Sequence, residues 1–300
     1  MQFKRIKKNV NGVLLLDKPL GFSSNQTLQK VKWLYSAAKA GHTGTLDPLA
    51  TGLLPICLGE ATKFAQYVTD ADKTYFATIK LGATTTTGDA EGDVLTTAPV
   101  NVSPSQFAAA CQQFIGEVSQ VPPMYSALKF EGRALYEYAR EGVNIERQSR
   151  LIRISNIVVE KFEGDIAQIT VVCSKGTYIR TLAEDIGAKL GCGAHLIGLR
   201  RTETAGYLLA NAITTEQLEA MPMDARLALL LPVDSAIEGL PKVILNTDAA
   251  FYMMQGQAVW QAGKTPATDM RLYDEKNNFL GLGCLQDDGK IAPKRLIKNN

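Results

Sequence analysis

Histidine and cysteine are scarce in this chain, with two histidines and five cysteines among 300 residues. Cys57, Cys111, Cys173, Cys192 and Cys284 are odd in number, widely spread and free of any C-x-x-C pair. That pattern argues against a disulfide framework and against a zinc site. His42 and His195 alone leave little imidazole for a metal centre. A G-x-x-x-x-G-K-[ST] phosphate loop is missing, as is a G-x-G-x-x-G turn after a strand. No metal and no cofactor are therefore expected, and any catalysis must rest on ordinary side chains. No apolar run reaches the roughly 18 residues of a membrane-spanning helix. The N-terminus, Met1 to Lys8, is basic but lacks the apolar stretch of a signal peptide. The expectation is a cytoplasmic protein with no membrane partner.

Charge of one sign is not in excess either. The net charge of +2 does not by itself point to nucleic acid, but polyanion binding depends on how charge is distributed. Basic clusters stand at Lys4 to Lys8, Arg147 to Arg153, Arg200-Arg201 and Lys294 to Lys298. Each also reads as solvated surface charge. The hydrophobic fraction of 46% and charged fraction of 21% are those of an ordinary globular protein. The length suits one large domain, or a large and a small one.

The pattern along the chain alternates between strands and helices. Residues 12–16 form an apolar run closed by Asp17-Lys18-Pro19, which predicts a buried strand and a turn. Ser23 or Ser24 then caps a helix to about residue 37. A Gly-rich segment covers 41–52, followed by a strand over 53–58 and a helix over 60–67. Tyr75, Ala77, Ile79 and Leu81 alternate with polar neighbours, so 74–81 is a half-buried strand. Ser103 or Ser105 starts a helix to about Phe114. Pro122-Pro123 and the charged stretch after them predict an excursion over about 120–150, a helical hairpin or thumb. Strands over 151–162 and 166–173 resume the sheet, and helical spacing runs over 178–190. Prolines bracket a hinge near 232–242, beyond which Gly256, Gly263, Gly281, Gly283 and Gly289 mark turns between short strands. The fold class is α+β: a mixed-sheet body over 1–238 with the thumb-like insertion, and a small β-rich domain over 242–300.

Several residues stand out for chemistry. Asp47 lies in a loop with three glycines, Gly41, Gly44 and Gly52, where backbone can approach a ligand closely. Asp47-Pro48 is equally the pattern of a helix start, with Asp as N-cap and Pro at the first position. Arg180 falls in the first turn of its helix, where a cation faces the positive end of the dipole at a cost of roughly 0.3–1 kcal/mol. Pairing a carboxylate and lowering its pKa would account for that placement, as would an exposed partner. Tyr75 reads as a packed core tyrosine, Tyr178 is ambiguous, and His42 can stack on a base or cap a turn.

Gly41-His42-Thr43-Gly44-Thr45-Leu46-Asp47-Pro48-Leu49-Ala50-Thr51-Gly52, continued through Lys63, resembles the signature of the bacterial tRNA pseudouridine-55 synthase B family. So do Gly12 to Pro19 with Gly21, Lys73-Thr74-Tyr75, the Gly82-to-Asp93 loop and Pro122 to Lys129. Lys175 to Ala183 and Leu199-Arg200-Arg201-Thr202 also match. Phe279-Leu280-Gly281 and Ala292 to Arg295 resemble the family's C-terminal, PUA-like RNA-binding module. The likeness covers nearly the whole chain in order. It implies an enzyme that isomerises a uridine in the T-loop of tRNA, with Asp47 as catalytic aspartate, Arg180 as its ion-pair partner and Tyr75 against the target base. His42, Tyr178, Leu199 and Lys18 are then substrate-binding. Base flipping is implied, at an unstacking cost of about a few kcal/mol. The implied partner is the T-arm stem-loop of tRNA, bound by a monomer with no obligate protein partner. In the thumb, Ala134 agrees less well with the family pattern, which bears on RNA affinity.

Three other readings compete. A tRNA-folding chaperone would need the basic surface but not an Asp47–Arg180 pair. The guide-RNA-dependent synthases share the catalytic core, but their eukaryotic members carry Lys-rich tails, whereas this sequence closes on Lys298-Asn299-Asn300. A hydrolase built on Asp47 lacks a second carboxylate at a suggestive spacing.

Overall fold

The computed structural model describes residues 6–261 and 268–298. Lys4 and Arg5 of the first basic cluster and the Gly263 turn signal lie outside them. Among the described residues, a ten-stranded mixed sheet forms the body. Its main path runs Ile213–Thr214, Gly12–Lys18, Ala50–Leu58, Ala194–Thr204, Lys73–Leu81, Ile166–Cys173, Arg150–Glu163 and Gly116–Gln120. Gly12–Lys18 pairs in parallel with Ile213–Thr214, and Ala50–Leu58 with Ala194–Thr204, while the other pairings on this path are antiparallel.

The apolar run at residues 12–16 is unbroken because its strand is buried on both faces. Leu14 and Leu16 join the large core, which also takes Leu28, Val31 and Leu34 of helix Ser24–Leu34 and Leu182 and Ile186 of helix Ile179–Leu190. Val13 and Leu15 join a second core with Leu53, Phe64 and Val68 on the opposite face. This strand continues through Lys18, where a turn was expected, and Lys18 is fully buried. Ser23 is the cap of its helix, and Ser103 caps Pro104–Gln112; both form capping boxes, with Gln26 and Gln106. The helix expected at 60–67 is a 3₁₀ turn, Gly59–Lys63, followed by Ala65–Asp70.

The excursion leaves the sheet at Gln120 and returns at Arg150, residues that are cross-strand partners. It is not a helical hairpin. Lys129–Phe130 and Arg133–Ala134 form a β-hairpin, and only Leu135–Arg140 is helical. Glu131 and Gly132 between the short strands both adopt positive φ, the two-residue turn that suits a hairpin.

Beyond Leu240, strands Lys242–Ile244, Asp269–Tyr273, Phe279–Leu285 and Ile291–Leu296 make a separate four-stranded sheet. Helix Thr247–Met254, which the turn signals did not reveal, seals its core of Val243, Leu245, Met253, Met270, Leu272, Leu280 and Ile291. Phe279 packs edge-on against Phe64 of the body at 5.6 Å between ring centres. Lys63 Nζ donates to the Leu296 carbonyl at 2.8 Å. No described helix is long and apolar enough to cross a membrane.

Candidate active site

The Asp47 loop is shaped before any ligand is considered. Ser24, the first residue of its helix and fully buried, accepts from Leu46 N at 2.8 Å and donates to Leu46 O at 3.0 Å. Gly21 N donates to Pro48 O at 2.9 Å. Asp47 O accepts from Ala50 N at 3.0 Å, and the strand Ala50–Leu58 starts there. No helix begins at Asp47, so it is not an N-cap.

Arg180 reaches back from its helix into this loop and is 4% exposed. Its Nη2 lies 3.0 Å from Asp47 Oδ2, and its Nε lies 3.6 Å from Asp89 Oδ2. Nη1 donates to Thr87 O at 2.9 Å and Nη2 to Tyr125 O at 2.6 Å. Two carboxylates and two carbonyls thus offset the unfavourable end of the dipole. The Asp47 side chain keeps 39% of its surface accessible, on the open side of a cavity of about 550 Å³. Tyr75, Tyr178, Leu199 and Arg201 also line that cavity.

Burial pushes the Asp47 carboxyl above its ordinary range; Arg180 opposes this, Asp89 adds to it and Lys18 opposes it. Arg180 thus acts in the expected direction, towards the ionised form, but the loss of water around the carboxyl outweighs it. Lys18 Nζ donates to Pro19 O at 2.9 Å, and burial draws its pKa down to about 8 against the pull of Asp47 and Glu91.

Tyr75 stands on strand Lys73–Leu81 with the buried alternation the sequence predicts. Leu199 faces Ala77 on one side and Ala50 on the other, which brings it beside the same cavity. Tyr178 precedes the Arg180 helix, and Gln120 clamps it by accepting from its N–H at 2.8 Å and donating to its carbonyl at 3.1 Å. His42 ends the short strand Ala40–His42, half-buried and away from the cavity lining, with burial and Arg201 lowering its pKa. Only Arg200 of the Arg200-Arg201 cluster reaches the surface, with 41% of its side chain exposed. Arg200 Nη2 bonds Asp17 Oδ2 at 2.5 Å, and Arg201 is fully buried.

Residues 32–179 match the model described as "TruB family pseudouridylate synthase (N terminal domain)". Residues 180–238 match "tRNA pseudouridylate synthase B C-terminal domain", and 241–297 match "Pseudouridine synthase II TruB, C-terminal". A protein of Methylobacillus flagellatus named tRNA pseudouridine synthase B is 61% identical over 298 residues, covering 99% of each chain. The chain belongs to the TruB pseudouridylate synthase family.

A second family member, from Stutzerimonas stutzeri and named tRNA pseudouridine synthase B, is 51% identical over 303 residues, 99% of each chain. Among solved structures, a Cbf5-Nop10-Gar1 complex contains a chain 28% identical, with a TM-score of 0.71 over 96% of this chain and 84% of that one. The archaeal box H/ACA Nop10-Cbf5 complex gives the same TM-score at 23% identity, over 96% and 86% of the two chains, and so shares the fold. Lys73 and Arg201 of the cavity lining, and Asp89 and Gln120 that hold Arg180 and Tyr178 from behind, do not stand out as site residues in the sequence. Asp89 sits in a loop that reads as merely polar, yet its Oδ1 accepts from Glu91 N at 3.0 Å and from Thr87 Oγ1 at 2.5 Å. The one available signal was the like charge in Arg200-Arg201, two consecutive strand residues that must point to opposite faces.

Proposed function

We propose that this chain isomerises a uridine in the T-loop of tRNA to pseudouridine, with Asp47 as nucleophile. The carrying observation is the Asp47–Arg180 pair: the arginine is enclosed by the protein while one flank of the carboxylate remains open to the cavity. Family membership and the relatives' name, tRNA pseudouridine synthase B, support the substrate.

The reaction detaches uracil from C1′ and rejoins it through C5, so the base must be held while it turns. A stacked uridine is out of reach, and flipping it into the cavity costs about a few kcal/mol of unstacking. Asp47 acts as an anion, either attacking the nucleotide or stabilising positive charge on the ribose, and Arg180 fixes its orientation. Tyr75 gives a flat apolar wall and Leu199 a second apolar contact, and the Tyr75 oxygen, as phenolate, takes the C5 proton. Tyr178 holds the nucleotide from the helix end, while Lys18, fully buried and outside the cavity lining, acts on the site through the charge of Asp47. His42, outside the cavity lining, meets the neighbouring RNA rather than the target base. Phosphate contacts by the basic clusters and the thumb supply most of the binding and the module over 242–300 adds area, with 1–238 as the catalytic body. The protein acts in the cytoplasm as a monomer without an obligate protein partner.

The test is conversion of a T-arm stem-loop transcript, wild type against Asp47→Asn. Wild-type conversion together with a variant that binds RNA and leaves uridine intact supports the reading. Remodelling of tRNA by both proteins without pseudouridine would replace it with the chaperone function.

A further inference from the structure

Arg201 is the largest fully buried side chain among the described residues. Its Nε donates to Leu53 O at 2.7 Å, while Nη2 is buried and makes no hydrogen bond. No described carboxylate forms an ion pair with it, and burying a charge without one is costly. Space for its head group comes from Gly44, where a Cβ would sit 3.1 Å from Nη1. Gly52 lets the Arg201 backbone approach, since a Cβ there would meet the Arg201 carbonyl at 2.4 Å. The chain has thus made room for a cation that it does not neutralise.

What the cation faces is Tyr75. The two residues are cross-strand partners in register, so their side chains share one face of the sheet. Both line the cavity that also holds Asp47. Three groups act electrostatically on the buried phenol: Arg201, Cys173 from strand Ile166–Cys173, and Asp47 from its loop. Of these only Arg201 favours the phenolate; burial, Cys173 and Asp47 all disfavour it. A purely structural role accounts for Nε on Leu53 but leaves Nη2 unexplained.

We propose that Arg201 is a positioning residue for the isomerisation: its guanidinium orients Tyr75 and stabilises the phenolate that takes the C5 proton. This rests on the function proposed above. In that step the C5–H bond of the re-attached uracil breaks and the proton passes to the Tyr75 oxygen. The freed electron pair closes the C5–C6 double bond, and the C6–N1 π pair moves to N1. N1 takes a proton from water, and the Tyr75 phenol returns one to water, so the cycle closes without net proton change. Burial alone makes the phenolate rare, which is the deficit that a buried cation corrects.

Arg201→Gln removes the charge and keeps a donor for the Leu53 carbonyl. The expected result is RNA affinity within about twofold of wild type and conversion slower by roughly 10². A stem-loop deuterated at uridine C5 should show a larger isotope effect with Arg201→Gln than with wild type, because proton removal becomes limiting. In the Asp47→Asn background, NMR of the Tyr75 ring carbon should show its titration moved upward by Arg201→Gln. A slower rate with an unchanged isotope effect, or an unmoved Tyr75 titration, overturns the proposal. Should Arg201→Gln fail to fold, Arg201→Met fills the same buried space without the charge. An isotope effect above wild type then supports the proposal, and an unchanged one overturns it. Wild type that makes no pseudouridine would refute the function instead, while the Tyr75 titration would still report the hold of Arg201 on the phenol.

Discussion

Two aspartate–arginine pairs in this molecule have the same separation, 3.0 Å, and opposite surroundings. In the cleft, Arg180 is enclosed by carbonyls while Asp47 stays 39% exposed, with no other hydrogen bond to its carboxylate among the described residues. At the junction between the body and the C-terminal sheet, Asp234 and Arg271 are both shielded. Tyr273 donates to the same Asp234 oxygen, and Arg271 Nε donates to Leu240 O at 3.0 Å. Distance therefore does not distinguish a reactive pair from a fastening. Both pairs border cavities, of about 550 and 470 Å³, so what distinguishes them is the anion itself: Asp47 keeps an open side, whereas Asp234 is shielded and its oxygen is shared with Tyr273.

The largest expected effect breaks the cleft pair. Asp47→Asn should lower conversion by on the order of 10³-fold or more, without lowering the melting temperature. Arg180 keeps Asp89 and both carbonyls in that variant, so the fold loses little. Breaking the junction pair should do the reverse. Arg271→Ala leaves Asp234 and Leu240 O without their partner, and the expected cost is about 3 kcal/mol in denaturant unfolding. Conversion per folded molecule should change far less, and a large loss there would mean that the junction sets the geometry of the cleft.

Acidity sharpens the contrast. Because burial raises the Asp47 carboxyl, kcat/KM should fall on the acid side at a higher pH than for an ordinary aspartate. The stability sign is opposite. The folded chain holds the Asp47 proton more tightly than the unfolded chain does, so this contribution is full at low pH and is lost as pH rises through the raised pKa. The melting temperature of Asp47→Asn, which cannot ionise, should therefore gain on wild type between acid and neutral pH. A difference that is flat in pH would remove the claim that Asp47 is strained as an anion. The smallest effect expected is from Ser24→Ala, at about 1 kcal/mol. It releases both bonds to Leu46, so a disproportionate loss of conversion would show that the loop needs this clamp to present Asp47.

Local elements were readable because their signals are local. The alternation at Tyr75 to Leu81, the capping serines and the helical spacing up to Leu190 depend on neighbours within a few positions. The thumb misled because its charged residues suit a helix as well as a hairpin, and the Glu131-Gly132 turn overrode them. The order of family motifs carried Asp47, Arg180 and Tyr75 as candidates, although Tyr75 by its own pattern reads as core.

The sequence by itself determined most element types of the sheet body, the scarcity of metal-ligating side chains and the family to which the chain belongs, but not the hairpin of the thumb or helix Thr247–Met254. Only the tertiary structure decided which charges are buried and what they face. Asp47, Tyr75, Arg180 and Arg201 come from separate segments and meet because the sheet order places Ala50–Leu58, Ala194–Thr204 and Lys73–Leu81 side by side. Burial and electrostatic environment arise from contacts distant in the chain, which is why two adjacent arginines, Arg200 and Arg201, have different surroundings.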